Sequence, residues 1–159
     1  MVHINIICVG KIKEPFFRDA IAEYSKRLSR FCTLNITELQ DEKISEKSNE
    51  KIETAIKQKE GTNILSHIKK DSYIIALDLN GKEFDSIGFS NEIEHISISN
   101  SSITFIIGGS LGLSREVLNS CDKLICFSKM TFPHQLIRIF LLEQLYRGFK
   151  ISNNETYHK

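Results

Sequence analysis

The sequence predicts an α/β fold with a mostly parallel sheet flanked by helices. Apolar runs of strand length alternate with segments whose apolar residues recur at helical spacing. The strand-like runs are rich in Ile and are apolar on both faces, as in a parallel sheet covered by helices on each side. At 159 residues the chain is long enough to bury a core, so residues 1–159 are predicted to form a single domain.

Two strands and a helix open the chain. The apolar run His3–Val9 predicts the first strand, and Thr33–Leu39 predicts the second. Between them, Pro15–Arg30 has apolar residues three or four positions apart, which predicts an amphipathic helix. The charged segment 40–50 then predicts a loop.

The remaining elements continue the alternation. The predicted helices are Lys51–Lys69, Ser86–Ile96, Ser114–Ser120 and His134–Phe149, and the predicted strands are Tyr73–Leu79, Ile103–Ile107 and Lys123–Phe127. Gly61 is a weak point of the second helix, and Asn80-Gly81 predicts a turn after the third strand. Asp85 or Ser86 is the expected N-cap of the third helix.

The last helix is unusually apolar. Nine of the sixteen residues in His134–Phe149 are apolar or aromatic, which is more than one stripe facing a sheet requires. Such a helix either contacts a second subunit or lies deep in its own core, and both interpretations stay open.

Two loops near the C-terminal end carry ligand-binding chemistry. Ligands of parallel sheets bind at the carboxyl ends of strands where the strand order reverses, which selects the loops after the third, fourth and fifth strands. Ile106–Leu118 (IIGGSLGLSREVL) places Gly108, Gly109 and Gly112 between a strand and a helix capped by Ser114. This turn differs from a dinucleotide fingerprint, and a purely structural turn is the alternative.

The loop Phe127–Gln135 (FSKMTFPHQ) is apolar where loops are normally polar. Apolar walls combined with main-chain hydrogen bonds suit an adenine ring, whereas a buried structural loop is the alternative. Thr131 is the expected cap of the last helix, and Pro133 suits its first turn.

Charge and cysteine content limit the classes of protein. The net charge is +1, but residues 1–30 and 129–159 are basic and the middle is acidic, which fits either a nucleic-acid surface or an ordinary solvated one. The four cysteines form neither a C-x-x-C pair nor a zinc pattern, so buried thiols and no metal site are expected. Without an apolar run of membrane-spanning length or a secretory signal, the protein is expected to be cytoplasmic.

Several stretches together resemble one family. "FIIGGSLGLS", "SKMTFPHQLIRIFLLEQLYRGFKI" and the final "YHK", with "VGKIKE" and "DEK" earlier, are similar to the RlmH (YbeA-type) ribosomal large-subunit methyltransferases of the SPOUT superfamily. The resemblance implies a C-terminal deep trefoil knot, which periodicity alone does not reveal, and an obligate homodimer. It also implies an S-adenosylmethionine pocket of three loops, whose residues are Leu77, Gly108, Phe127, Ser128, Lys129, Met130, Thr131 and Phe132.

The activity implied by the resemblance is N3-methylation of pseudouridine 1915 in helix 69 of 23S ribosomal RNA, on assembled ribosomes. Three residues are expected to act in catalysis: His158 in deprotonation, Tyr157 in shaping the nucleotide pocket, and Arg138 in contacting phosphate. Arg147 is an alternative phosphate contact, although Glu143 could instead hold it in an ion pair.

Three positions depart from the family pattern, and one of them is Thr156, where a proline or an alanine is common. Asn154 stands where a glycine is common, and an asparagine can adopt the same left-handed conformation. Gly148 replaces a usual alanine, which weakens the last helix by about 1 kcal/mol.

Two other functions remain as alternatives to methyl transfer. A nucleotide-dependent oxidoreductase would use the Gly108-Gly109 turn, but that turn comes late in the chain and lacks an acidic ribose partner about 20 residues beyond it. A non-catalytic ribosome-binding module would depend on the basic ends rather than on a pocket.

Overall fold

A computed structural model describes all residues 1–159 and contains five strands that alternate with five helices. The strands are Val2–Val9 (β1), Cys32–Leu39 (β2), Tyr73–Glu83 (β3), Ser102–Ile107 (β4) and Lys123–Cys126 (β5). The helices are Pro15–Leu28 (α1), Glu50–His67 (α2), Ser86–Ser99 (α3), Arg115–Asn119 (α4) and His134–Ser152 (α5). Every predicted element is present, and the α/β class is confirmed.

The five strands form one parallel sheet in the order β2-β1-β4-β3-β5. The chain therefore leaves β4 and crosses β3 to reach β5 at the edge. Because all strands run in the same direction, the carboxyl ends of β4, β3 and β5 lie side by side. This is the edge at which ligands of such sheets bind.

Helices cover both faces of the sheet. The larger core cluster lies under α1, α3 and α5, where Phe105 on β4 contacts a layer of Ile and Leu side chains. The smaller cluster lies under α2 and α4 and includes Ile64 and Val117. Each fully buried Ile or Leu side chain contributes about 1.5–3 kcal/mol to stability, so the strands that are apolar on both faces hold the two layers together.

Strand β3 does not end at Leu79, so the predicted turn at Asn80-Gly81 is wrong as a strand end. The strand continues to Glu83, and both Leu77 and Lys82 lie opposite Ile125 because the register shifts between them. A Cβ at Gly81 would lie 2.5 Å from the backbone of Ile125. The glycine is therefore required for close approach of two backbones and not for a hairpin.

Helix α5 lies between α1 and α3 on one face of the sheet. This position within a single chain accounts for its wide apolar surface, so the apolar content gives no separate indication of a second subunit. The predicted Thr131 cap is wrong: Pro133 is the N-cap residue, and its carbonyl accepts hydrogen bonds from Leu136 and Ile137. At the other end, Phe149 stacks on Phe31 at 5.7 Å between ring centroids.

All four cysteines are free, and Cys8, Cys32 and Cys126 are buried. Burial raises the pKa of the Cys8 and Cys32 thiols to about 11, so both stay protonated near neutral pH. None of the five helices combines the length and apolar character needed to cross a membrane.

Candidate active site

Three segments meet at the carboxyl edge of the sheet. Leu77 on β3 pairs with Ile125 on β5, Gly108 directly follows β4, and Phe127 directly follows β5. Since β4, β3 and β5 are neighbours in that order, these three segments are adjacent in the structure. Leu77 lies within β3 and not in a loop after it, because the strand continues to Glu83.

The glycine turn after β4 is tight. The Gly112 N–H donates to the Gly109 carbonyl at 3.0 Å, and Gly112 has a φ of 80°, which favours glycine. A Cβ at Gly108 would lie 3.0 Å from the Gly112 carbonyl carbon, whereas a Cβ at Gly112 would have no heavy atom within 4 Å. Ser114 caps α4 by accepting the Val117 N–H at 3.3 Å, as predicted. Hydrogen bonds within the turn therefore fix its backbone, while the space beside Gly112 is open.

The segment Phe127–Phe132 is partly packed and partly open. The Phe127 ring meets Phe89 edge to face at 6.0 Å, and the Phe132 ring meets Phe140 at 5.4 Å. Inside the loop, the Met130 N–H donates to Ser128 Oγ at 3.0 Å. Met130 is 74% exposed, an unusual position for a large apolar residue. Packing within the chain thus explains two phenylalanines of this loop but leaves the methionine uncovered.

A cavity of about 520 Å³ connects this loop to the C-terminal tail. Five of its twelve lining residues are phenylalanines, with Phe127, Phe132 and Phe140 among them. Gln144 and His158 contribute polar groups. Flat apolar walls with a few polar groups suit a planar ring. The cavity therefore brings His158 to one space with Phe127, Ser128 and Phe132. The other residues predicted for the site lie outside its lining: Leu77, Gly108, Lys129, Met130, Thr131, Arg138 and Tyr157.

The tail is docked on α5 through Glu143. The Tyr157 hydroxyl donates to Glu143 Oε2 at 2.9 Å, and Arg147 Nε donates to Oε1 of the same carboxylate at 2.8 Å. Arg147 also lies 4.6 Å from the centre of the Tyr157 ring and 3.2 Å from His158 Nδ1. Burial, followed by the Glu143 contact, raises the pKa of Tyr157. The predicted Glu143–Arg147 ion pair is present and also organises both predicted tail residues.

A second ionic contact holds the tail just before Tyr157. Glu155 pairs with Lys150 and with Arg30, each at 2.5 Å. These hydrogen bonds hold the pKa of Glu155 below its usual value, Lys150 contributing most. Asn154 has a φ of 54°, so it adopts the left-handed conformation expected in place of glycine. The tail is therefore bent and held, not frayed.

Arg138 lies elsewhere, with only 2% of its surface exposed. Its guanidinium donates to Glu38 Oε2 at 2.8 Å and to the carbonyls of Val9 and Gly10 at 3.0 and 2.7 Å. These contacts bind the first turns of α5 to the end of β1. With most of its donors used internally, Arg138 is suited to position α5 more than to contact a phosphate. Arg147 is the more accessible of the two arginines.

Comparison with known proteins gives the family. The family model described as Predicted SPOUT methyltransferase matches residues 2–158. A protein of Clostridium tetani named Ribosomal RNA large subunit methyltransferase H is 57% identical over 159 residues, covering 99% of this chain and all of the relative. A Clostridium acetobutylicum protein of the same name is 56% identical with the same coverage. The chain belongs to the ribosomal RNA large subunit methyltransferase H family.

The resemblance of this methyltransferase H chain to SPOUT proteins, expected from its motifs, is thereby confirmed. A solved structure of a probable methylase family protein from Haemophilus influenzae Rd KW20 matches with a TM-score of 0.54. The match covers 99% of this chain and 71% of that chain, at 13% identity, and thus concerns the fold alone.

Sequence reasoning missed two residues beside the candidate site. Gln144 borders the aromatic cavity and accepts a hydrogen bond from Ser86 at 2.8 Å. Glu60 lies buried beside the glycine turn. The only sequence signal for Glu60 is its place next to Gly61, since a glutamate within a polar helix normally faces solvent.

Proposed function

We propose that this chain transfers a methyl group from S-adenosylmethionine to N3 of pseudouridine 1915 in helix 69 of 23S ribosomal RNA, on assembled ribosomes. The printed name of the relatives supports methylation of large-subunit ribosomal RNA. The observation that carries the proposal is the meeting of three segments at one sheet edge, with the cavity beside the last of them bordered by His158. We take residues 1–159 as one methyltransferase domain.

Eight residues are proposed to border the cofactor: Leu77, Gly108, Phe127, Ser128, Lys129, Met130, Thr131 and Phe132. Their chemistry fits S-adenosylmethionine, because the glycine turn is open on one side and Met130 offers an uncovered apolar surface for adenine. When bound, the cofactor supplies an electrophilic methyl group. The task of the chain is then to align the acceptor nitrogen and to exclude water.

His158 is proposed to take the N3 proton of the pseudouridine. A guanidinium can only donate, so Arg147 contacts the unprotonated Nδ1 of a neutral imidazole, and this is the nitrogen that must accept the proton. His158 therefore becomes a base only when Arg147 moves away. We propose that an RNA phosphate draws Arg147 from His158, which couples substrate docking to activation of the base.

Tyr157 and Arg138 are proposed to support this step. The Tyr157 ring packs edge to face on Tyr146 at 4.9 Å and is fixed by its bond to Glu143, so it can form a rigid wall of the nucleotide pocket. Arg138 is proposed to act by holding α5, which carries Arg147, against the end of β1. The role first expected for Arg138, contact with phosphate, would require the release of Glu38.

The finer features of the fold and assembly are also proposals. A trefoil knot is supported by the path from β5, at the sheet edge, to α5, whose first turns reach β1. A homodimer is supported by the exposed apolar side chains Leu79, Ile87 and Met130 around the candidate site, because large exposed apolar patches often mark interfaces. A ribosomal substrate would place the protein in the cytoplasm.

The test is a methyl-transfer assay with ribosomes that lack the modification. Incubation with methyl-labelled S-adenosylmethionine should place label on N3 of the helix 69 pseudouridine, detected by mass spectrometry of nuclease fragments. Assembled ribosomes should be labelled much faster than isolated 23S RNA. If neither substrate is labelled while the protein is folded, the proposed reaction is wrong.

Cofactor binding is measured separately by calorimetric titration, with NAD as the alternative ligand. Saturable binding of S-adenosylmethionine but not NAD is expected, and the opposite preference would favour an oxidoreductase. The Ser128→Trp variant should block binding, because Ser128 lines the cavity. Gly108→Trp is less informative, since any side chain at Gly108 presses on Gly112 and distorts the turn.

A further inference from the structure

Glu60 is a buried carboxylate that has no ion-pair partner in the chain. Its residue is 8% exposed, and its Oε2 accepts the Glu42 N–H at 3.1 Å. None of the ion pairs of the chain includes Glu60, and the neighbouring Lys59 pairs with Glu42 at 3.1 Å. A buried charge is normally paired, so an unpaired carboxylate at this depth calls for an explanation.

This carboxylate lies against the glycine turn of the candidate cofactor site. A Cβ placed on Gly109 would be 3.5 Å from Glu60 Oε1 and 3.7 Å from Oε2. The next residue, Gly61, packs closely against Ser114 at the end of the same turn. A Cβ at Gly61 would lie 2.5 Å from Ser114 Oγ. Helix α2 therefore supports the turn at two points and brings a negative charge to it.

The surroundings of Glu60 add negative charge. Burial raises the pKa of Glu60, and the charges of Asp41 and Glu42 raise it further, against a lowering by the Glu42 N–H. Lys59, the cation next to Glu60 in the chain, is engaged with Glu42. Burial and the like charges disfavour the ionised carboxylate, so a cation bound beside the turn would lower the free energy of the charged form.

We propose that Glu60, assisted by Asp41, makes the site prefer the positively charged methyl donor over the product. This inference rests on the proposed function. The sulfonium of S-adenosylmethionine carries a positive charge. On transfer, the methyl group moves to N3, the base takes the N3 proton, and sulfur keeps the electron pair of the broken C–S bond. The sulfur of the product is therefore a neutral thioether. A buried carboxylate is weakly screened, so it stabilises the bound donor and not the product. Product release is thereby favoured.

The test compares calorimetric titrations with S-adenosylmethionine and S-adenosylhomocysteine. In Glu60→Gln, the amide oxygen can still accept the Glu42 N–H while the charge is removed. We expect affinity for the donor to fall about fivefold to tenfold and affinity for the product to change less than about twofold. Sinefungin, which has a protonated amine near the position of the sulfonium, should follow the donor.

Two further variants complete the test. Glu94→Gln removes the same charge from an exposed position of α3 and should change neither affinity. Asp41 lies in an exposed loop, so Asp41→Asn should leave folding intact. This variant should lower affinity for the donor alone, by about twofold.

The outcomes separate this inference from the proposed function. If Glu60→Gln lowers both affinities equally, Glu60 only supports the turn, and charge selection is wrong. The same conclusion follows if neither affinity changes in Glu60→Gln and Asp41→Asn. If the unmodified protein binds neither ligand, the proposed cofactor itself is wrong and charge selection is wrong with it.

Discussion

Arg147 and His158 are joined by a contact of 3.2 Å between a guanidinium Nη1 and an imidazole Nδ1. The same arginine is bonded to Glu143, which also accepts the Tyr157 hydroxyl. Arg147 thus covers Nδ1 of His158 in the free protein. If His158 is the base, as proposed, an anion that draws Arg147 away would expose this nitrogen.

The first prediction concerns His158. Replacing it with alanine removes the proposed base, so the rate of methyl transfer to ribosomes should fall about 100-fold or more. Affinity for S-adenosylmethionine should stay within about twofold of the original value, because a base contributes to the chemical step. His95→Ala, at an exposed position of α3, is the control and should leave both quantities unchanged. An unchanged rate in the His158 variant would eliminate histidine as the base.

The second prediction concerns Gly148 in α5. A Cβ at this position would lie 3.5 Å from Ser90 Cα, an ordinary van der Waals contact, so alanine fits without movement. Gly148→Ala should raise the free energy of unfolding by about 1 kcal/mol, because alanine has the higher helix propensity. Urea unfolding followed by circular dichroism measures the change. A lower free energy of unfolding in the variant would mean that the α3 and α5 backbones lie closer together than this distance indicates.

The third prediction is that alanine at Gly81 lowers stability, whereas alanine at Gly148 raises it. A Cβ there would lie 2.5 Å from the Ile125 backbone, which cannot rotate aside as a side chain can. Gly81→Ala should therefore lower the free energy of unfolding by about 1–3 kcal/mol, as overpacking does in other cores. The same urea experiment applies, with Asn80→Ala as the exposed neighbouring control. Equal stability of the two variants would contradict the close pairing of β3 with β5.

The fourth prediction concerns tyrosine ionisation. Burial, followed by contacts with Glu143, raises the pKa of Tyr24 to about 12. The folded protein then binds a proton that the unfolded chain releases near pH 10, so stability should decrease as pH rises from about 10 to about 12. Absorbance at alkaline pH should show Tyr24 among the last tyrosines to ionise. Tyr24→Phe should remove that late step, and Glu143→Gln should move it to lower pH.

Much of the fold could be predicted because periodicity reports which faces of an element are buried. The strands of the sheet were predicted within a few residues, and their Ile-rich sequences indicated a parallel sheet correctly. The order of the strands in the sheet could not be predicted, since periodicity does not show which strands are neighbours. Asn80-Gly81 has the composition of a turn, but its glycine meets the backbone of β5, which only the paired strands reveal.

The candidate site was predictable in its loops but not in its charges. Gly108 and Phe127 stand directly after strands, so their meeting at one edge follows from a parallel sheet. Arg138 and Glu60 are long polar side chains, for which a solvent-facing position is the normal expectation. Their burial depends on the carbonyls of β1 and on the glycine turn, which come from distant parts of the chain.

The pairing of β1 with β4 determines when the protein can fold during synthesis. His3 is aligned with Ser102, so these two neighbouring strands are about 100 residues apart in the chain. A ribosome must complete β4 before the centre of the sheet can close, while β1 and β2 are available to each other much earlier. Because long-range pairing is slow, β1 stays exposed on one edge throughout this interval, and chaperones or slow translation should increase the yield of folded protein.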